Sequence, residues 1–354
     1  MPFPSRRDLL KSAAGVLAAP LIAPSEPADA RPVVSIVRIP NGNVAYAVER
    51  AIDLLGGMLT ITSGRHRILL KPNLVMPQVN ATTNSAVIRT LARLMAAAGK
   101  DVSIAEGSAC AEPFNIHGSE TFHTSNPEIL NAMQRYIFDQ LGYTELAKSL
   151  RAPLINLHTG DLAEVKLPGA FVFEKLTLHR SLIETDLLVS VPAMKTHQFA
   201  GVTLGMKNLV GVYPGAIYQA VRYRMHEAAG KVEPSGTAAA VVDMVRANKL
   251  GLTVIDGSTA MEGNGPTGGT PVPMNVIVAG TNPLATDIAG AHLMGFDASE
   301  IPTFTFANRA GMRPARLDEV ELRGDPPEDL RKKFARPQIV PWALARQGWA
   351  TREI

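Results

Sequence analysis

From residue 33 to residue 294, short β-branched runs alternate with segments of helical periodicity, and that alternation limits the folds open to this chain more than any other feature. Strand-like runs fall at 33–38, closed by Pro40-Asn41-Gly42, and at 67–71, stopped by Pro72. Others fall at 102–105, 154–157, 187–191, 252–255 and 276–279. Helices are expected at 44–55, 127–141, 237–249 and 283–294. From Val87 the apolar residues Val87, Leu91, Leu94, Met95 and Ala98 recur at helical spacing, with Asn84 or Ser85 as N-cap and Gly99 just past the end. Asn282, Pro283 and Gly295 bracket 283–294 in the same way. Strands alternating with helices predict an α/β fold, a mostly parallel sheet with helices on both faces. Residues 31–313 read as one α/β domain, with a division into two lobes near residue 165 as an option. Residues 314–354 read as a charged, proline-rich extension wrapping the surface.

Composition narrows the function. With 46% hydrophobic and 19% charged residues among 354, the chain is neither fibrous, disordered nor membrane-packed. Thirty-five Lys and Arg against 32 Asp and Glu leave only +3, spread along the chain, so no nucleic-acid stripe is expected. A single cysteine, Cys110, excludes an intrachain disulfide framework, a Cys-rich zinc site and a four-cysteine iron–sulfur cluster.

The first thirty residues read as an address. Ser5-Arg6-Arg7-Asp8-Leu9-Leu10-Lys11 is a twin-arginine pattern, an apolar stretch follows from Ala13 to Ala23, and Ala28-Asp29-Ala30 offers a cleavage site. The stretch is interrupted by Pro20 and is about half of the ~20 residues a membrane span needs. The expectation is a protein without a stable membrane span, exported already folded by the twin-arginine machinery to the periplasm or beyond.

In parallel sheets, ligand-binding groups collect just past the carboxyl ends of strands. Lys71-Pro72-Asn73, Glu106-Gly107-Ser108, Lys195-Thr196-His197 and Asp256-Gly257 all fall there. Singly, each could be a turn with solvated charges. The densest segment runs from Val191 to Gly215. If a helix begins near Gly201, then Val202, Met206, Leu209 and Tyr213 form an apolar stripe. Gly201, Gly205 and Asn208 form a small-residue stripe that another backbone or a ligand can approach closely, and Thr203 shares a third face with Lys207. The start of such a helix, beside His197, would suit an anion. Lys195, His197 and Lys207 are the catalytic candidates, the lysines for a carboxylate, phosphate or enolate and His197 as acid or base near neutrality. Lys71, Asn73, Thr203, Asn208, Asp256 and Glu262 are the substrate-binding candidates. A Gly-rich packing helix with snorkelling lysines is the alternative.

Residues 263–268 match G-x-G-x-x-G, but Pro266, Pro271 and Pro273 forbid the helix a dinucleotide fold needs, so a ligand loop or acidic lid is expected. No P-loop, H-E-x-x-H or G-x-S-x-G occurs. His226 lies 19 residues after Lys207 in the basic run Arg222-Tyr223-Arg224-Met225-His226.

These motifs resemble those of the domain-of-unknown-function-362 family. The resemblance rests on Lys71-Pro72-Asn73, Asp186 with the strand after it, Lys195-Thr196-His197, Gly201-Val202-Thr203-Leu204-Gly205-Met206-Lys207-Asn208, Asp256-Gly257 with the glycine loop, and Gly280 through Asp287. It covers most of 33–300 and implies a fold but no agreed reaction. Some members carry ferredoxin-type cysteines, which this chain lacks, so no iron–sulfur cluster is expected. More distantly the chain is similar to the lactate racemase family, since Lys207 follows His197 by ten residues and Pro214-Gly215 comes after. That likeness implies His197 in proton or hydride transfer, Lys207, near Gly201 and Gly205, holding a nickel-pincer-type nucleotide, and His226 as a metal ligand. A divalent metal is a further option. Leu204 and Met206 stand where the racemases have small residues, and Thr196 where they have proline.

Two functions of different class follow. One is an exported enzyme acting on a small anionic substrate, for example an α-hydroxy acid, with racemase, isomerase or oxidoreductase-like chemistry. The other is a periplasmic protein that binds a ligand or metal complex without changing it. A redox accessory role ranks third.

Overall fold

A computed structural model describes residues 17–18, 31–118, 120–233, 235–338 and 353–354. The export-signal reading of residues 1–30 lies outside these, apart from the backbone of 17–18. The main sheet has 11 strands among the described residues. Those that position the site are β1 (Val33–Arg38), β2 (Arg67–Pro72), β3 (Asp101–Glu106), β4 (Leu154–Asn156), β5 (Leu187–Val191), β6 (Ala193–His197), β7 (Gly201–Thr203), β8 (Leu250–Glu262), β9 (Val276–Gly280) and β10 (Glu321–Gly324). Their central order is β10-β1-β9-β8-β5-β2-β3-β4, and along this path only β9 runs antiparallel. Neighbouring strands come from both sides of residue 165, since β5 pairs with β2 and β9 with β1.

Alternate residues of each strand feed two apolar cores, as the period of two requires. Ile68, Leu70, Val189 and Val254 pack beneath α1 (Val44–Leu54), α2 (Ser85–Ala97) and α3 (Pro127–Gln140). Leu69, Leu188, Ile255 and Val278 face the other way, toward α4 (Gly205–Asn208), α5 (Gly236–Arg246), α6 (Pro283–Leu293) and α7 (Pro302–Arg309). The mostly parallel sheet with helices on both faces is therefore present. Its helix signals work as their chemistry dictates: Asn84 Oδ1 accepts from Ala86 N at 3.0 Å, and Asn282 Oδ1 from Ala285 N at 3.0 Å. Among the described residues no helix is long and apolar enough to cross a membrane.

The structure departs from the sequence reading in two places. The helix expected from Gly201 is instead β7, paired antiparallel with β6 so that Lys195 faces Thr203 and His197 faces Gly201. Gly201 has φ +78°, which a right-handed helix does not admit, and α-helix follows only for the four residues of α4, continued by a 3-10 turn over Leu209–Val212. The extension past Pro314 does not merely wrap the surface, because β10 adds a parallel edge strand against β1. Its Leu322 packs against the core between the charged Glu321 and Arg323.

Candidate functional site

Because β2, β3, β5 and β8 are parallel, their carboxyl ends share one edge of the sheet. Beyond β5 the chain turns at Pro192 and forms the β6–β7 hairpin. The far half of the 13-residue β8 supports it, Ala193 pairing with Asp256 and Lys195 with Met261. Alternation along the hairpin puts Lys195, His197 and Thr203 on one side, and α4 then brings Lys207 to the same space. These four, with Asn73, Asn208, Arg222 and His226, line a pocket of about 240 Å3.

Beneath it lies a closed ion pair. Lys71 Nζ is 2.8 Å from Glu106 Oε1 and donates to Asn208 Oδ1 and Pro72 O, both at 2.9 Å. Glu106 also accepts from Leu74 N and Gly107 N, each at 2.8 Å. Asn208 Nδ2 donates to Lys71 O at 3.1 Å and Ser190 Oγ at 3.0 Å, tying α4 to β2 and β5. Burial holds Lys71 below the ordinary lysine range, and Glu106 opposes the shift. Gly211 packs so close that a Cβ there would stand 2.4 Å from Glu106 Oε1.

The pocket wall is different. Lys195 Nζ donates to Ala81 O at 2.5 Å and Pro266 O at 3.2 Å. Lys207 has no hydrogen-bond or ion-pair partner among the described residues, although it is only 9% exposed. Burial first, then neighbouring cations, push both amines down to about 7. His197 Nδ1 accepts from Phe199 N at 3.0 Å, so the neutral ring carries its proton on Nε2. Burial, then Lys207, Lys195 and His226, press His197 well below the ordinary histidine range rather than near neutrality. His226 Nδ1 lies 3.2 Å from Thr237 Oγ1, and burial pushes it down to about 3. Asn73 Oδ1 and Thr203 Oγ1 are buried without a hydrogen-bond partner among the described residues.

Arg222 underpins this wall, its guanidinium donating to the carbonyls of Val210 (3.1 Å), Ser108 (3.1 Å), Gly211 (2.8 Å) and Gly107. It and the β-branched Val221 hold φ of +59° and +53°, a costly conformation sustained by these bonds. Burial pushes Arg222 down to about 10.

Other sequence candidates lie apart from the pocket. Asp256, buried, accepts from Asn84 N at 2.7 Å and Ser258 N at 3.0 Å, so it anchors the start of α2. Glu262 Oε2 accepts from Ala335 N at 2.8 Å. Gly201 packs against Ile301, and Gly205 against Thr253 and Asp287. The carboxylate of Asp287 already occupies the start of α4, accepting from Gly205 N at 2.7 Å and Met206 N at 2.8 Å; burial raises it to about 7. Leu204 and Met206 point into the apolar core, not the pocket. Pro266 and Thr267 of the glycine loop do reach the pocket.

Glu106 and Arg222 belong to the site more closely than the sequence suggested. Glu106 was marked by its place at a strand end and Arg222 by its basic run. The apolar lining at Val75, Met76, Cys110 and Ile116 gave no signal.

A thylakoid-associated protein of Synechocystis sp. is 25% identical over 302 residues, covering 84% of this chain and 85% of that protein. The lactate racemase apoprotein from Thermoanaerobacterium thermosaccharolyticum superposes with a TM-score of 0.42 at 16% identity, over 79% of this chain and 60% of that one. A Thermotoga maritima protein gives a TM-score of 0.40 at 13% identity, over 72% and 59%. The chain thus spans about three fifths of the solved structures it matches. The family model described as a domain of unknown function, DUF362, matches residues 68–292, well over half of the sequence, and the chain belongs to that family.

Proposed function

We propose that this chain is an enzyme that takes a small organic anion into the pocket and moves a proton on it. The carrying observation is the buried Lys207 amine, which has no hydrogen-bond or ion-pair partner among the described residues and lies near Lys195 and Arg222. The one carboxylate among the lining residues, Glu106, is already committed to Lys71. A bound carboxylate would supply the missing counter-charge. An amine near 7 suits general acid–base work, so in its neutral form Lys207 would take a proton from the carbon next to the carboxylate, whose charge Lys195 would then hold. The C–H electron pair would move into an enolate, and the proton would return to the same carbon. Lys195 and the neutral Nε2–H of His197 would stabilise the charge that develops on oxygen. An α-hydroxy acid is a fitting substrate, and an isomerase or racemase outcome follows when the proton returns to the opposite face.

The finer cofactor reading fits less well. Among the described residues no three His, Cys, Asp or Glu side chains gather to hold a metal ion. The pocket, about 240 Å3, is below the roughly 300–1,000 Å3 of sites that enclose drug-sized ligands. A nickel-pincer-type nucleotide would not be enclosed there. The twin-arginine pattern supports export to the periplasm or beyond, where this chemistry would take place.

The test is incubation with small carboxylates and 2-hydroxy acids in deuterated water, with calorimetry for binding and NMR for exchange at the α-carbon. Expected are saturable binding and exchange, the exchange abolished in Lys207→Met. Binding with the ligand recovered unexchanged would make the chain a binding protein, and no binding at all would refute the reading.

A further inference from the structure

The pocket holds two kinds of lining, contributed by separate segments. The donors come from the β6–α4 stretch and from Arg222 and His226. The loops following β2 and β3 bring Val75, Met76, Cys110 and Ile116, and Phe199 and Val210 add to them. Val75, Met76, Cys110 and Ile116 are half-buried and packed into neither core, while the half-buried Val210 packs against one of them.

We infer that the ligand is a monoanionic carboxylate with a branched aliphatic or aryl body, its head group among Lys207, Lys195 and His197 and its body against Val75, Met76, Ile116 and Phe199. This rests on the anion-binding reading and narrows it to one class. An inorganic anion would fill the cationic corner and leave the apolar side chains wet. A polyhydroxylated or multiply charged acid would set polar groups against Val75, Met76 and Ile116, which offer no side-chain partner, at a desolvation cost. An apolar body instead removes both its own surface and theirs from water. Charge agrees. Lys195 has two carbonyl partners, and every donor of Arg222 named above goes to a carbonyl, which leaves Lys207 as the cation with all its donors to give.

Calorimetric titration of the full chain with acetate, isovalerate, phenylacetate and inorganic phosphate tests this. Each buried methylene is worth about fourfold in affinity, so isovalerate should bind on the order of fiftyfold tighter than acetate. Phenylacetate should gain at least as much, and phosphate should bind no tighter than acetate. In Met76→Gln, checked for folding by its thermal melt, isovalerate should weaken more than acetate. Equal affinities for acetate and isovalerate, or phosphate as the tightest ligand, would overturn the inference while leaving an anion pocket in place. If none of the four binds, the anion-binding reading falls, and this one with it.

Discussion

The floor and the wall of the pocket each contain a buried lysine, and the two are built on opposite terms. On the floor, Lys71 meets Glu106, Asn208 and a backbone carbonyl, and Glu106 in turn accepts two backbone N–H groups. On the wall, Lys207 meets no partner among the described residues and shares its space with Lys195 and two neutral histidines. A buried ion pair with every donor and acceptor matched holds strands together. A buried cation without a counter-ion costs the folded state and brings it no hydrogen bond, so its presence points to something outside the chain. Removing each lysine in turn should separate the two roles.

The largest effect is expected on the floor. Lys71→Met leaves Glu106 buried without its cation, and breaking a buried pair by deleting one partner costs about 3–5 kcal/mol. Urea unfolding would show that loss. A cost below about 1 kcal/mol would erase the distinction, because the pair would then be dispensable.

On the wall the same replacement should spare the fold. Lys207→Met removes an unpaired buried cation, so the unfolding free energy should hold or rise. Anion affinity should fall about 10- to 150-fold, the equivalent of a charged hydrogen bond worth roughly 1.5–3 kcal/mol. A Lys207→Met protein that unfolds as readily as Lys71→Met would make Lys207 structural.

Much of the sheet was legible in the residues, and the reason is local. The boundaries of β1 and β5 follow from β-branched runs bounded by turn residues, and those of α2 and α6 from Asn caps and trailing glycines. The hairpin was not legible, because Gly201-Val202-Thr203 has both a helical stripe and a strand's composition. What decides between them is pairing with β6, a tertiary fact. The same holds for the anion site expected at a helix start near Gly201: the helix begins instead at Gly205, and the residue that fills its start, Asp287, lies 82 positions along the chain. Lys71 and Lys207 look alike as letters, and only the neighbours that the fold brings in set them apart.

A smaller effect tests how tightly the floor is closed. In Gly211→Ala the new Cβ would lie 2.4 Å from Glu106 Oε1 and 2.7 Å from Lys71 Nζ, so one of them must shift. Overpacking of this kind costs about 1–3 kcal/mol. If the Lys71–Glu106 pair is rigid, a chemical melt should show that loss. An unchanged midpoint would mean that the floor yields as readily as the wall.

The smallest effect is in pH, and its sign follows from proton binding. Lys195 and Lys207 stand at about 7 in the folded chain against an ordinary 10.5. Between those limits the unfolded chain holds more protons, so the stability of the ligand-free protein rises as pH rises from about 7 toward 10.5. Asp287 stands at about 7 against an ordinary 3.8, so the folded chain holds the extra proton between those limits, and its contribution falls as pH rises through them. The two trends place a stability minimum near neutrality. Between pH 7 and 9 a gain of about 1 kcal/mol is expected, less than the full shifts imply because the pocket admits solvent. Lys207→Met should lose part of that alkaline gain, whereas Gly211→Ala, which leaves both wall amines in place, should keep it. Urea midpoints at pH 7 and pH 9 for the three proteins decide the matter. An alkaline gain that survives intact in Lys207→Met would assign it to other groups and remove the electrostatic distinction between wall and floor.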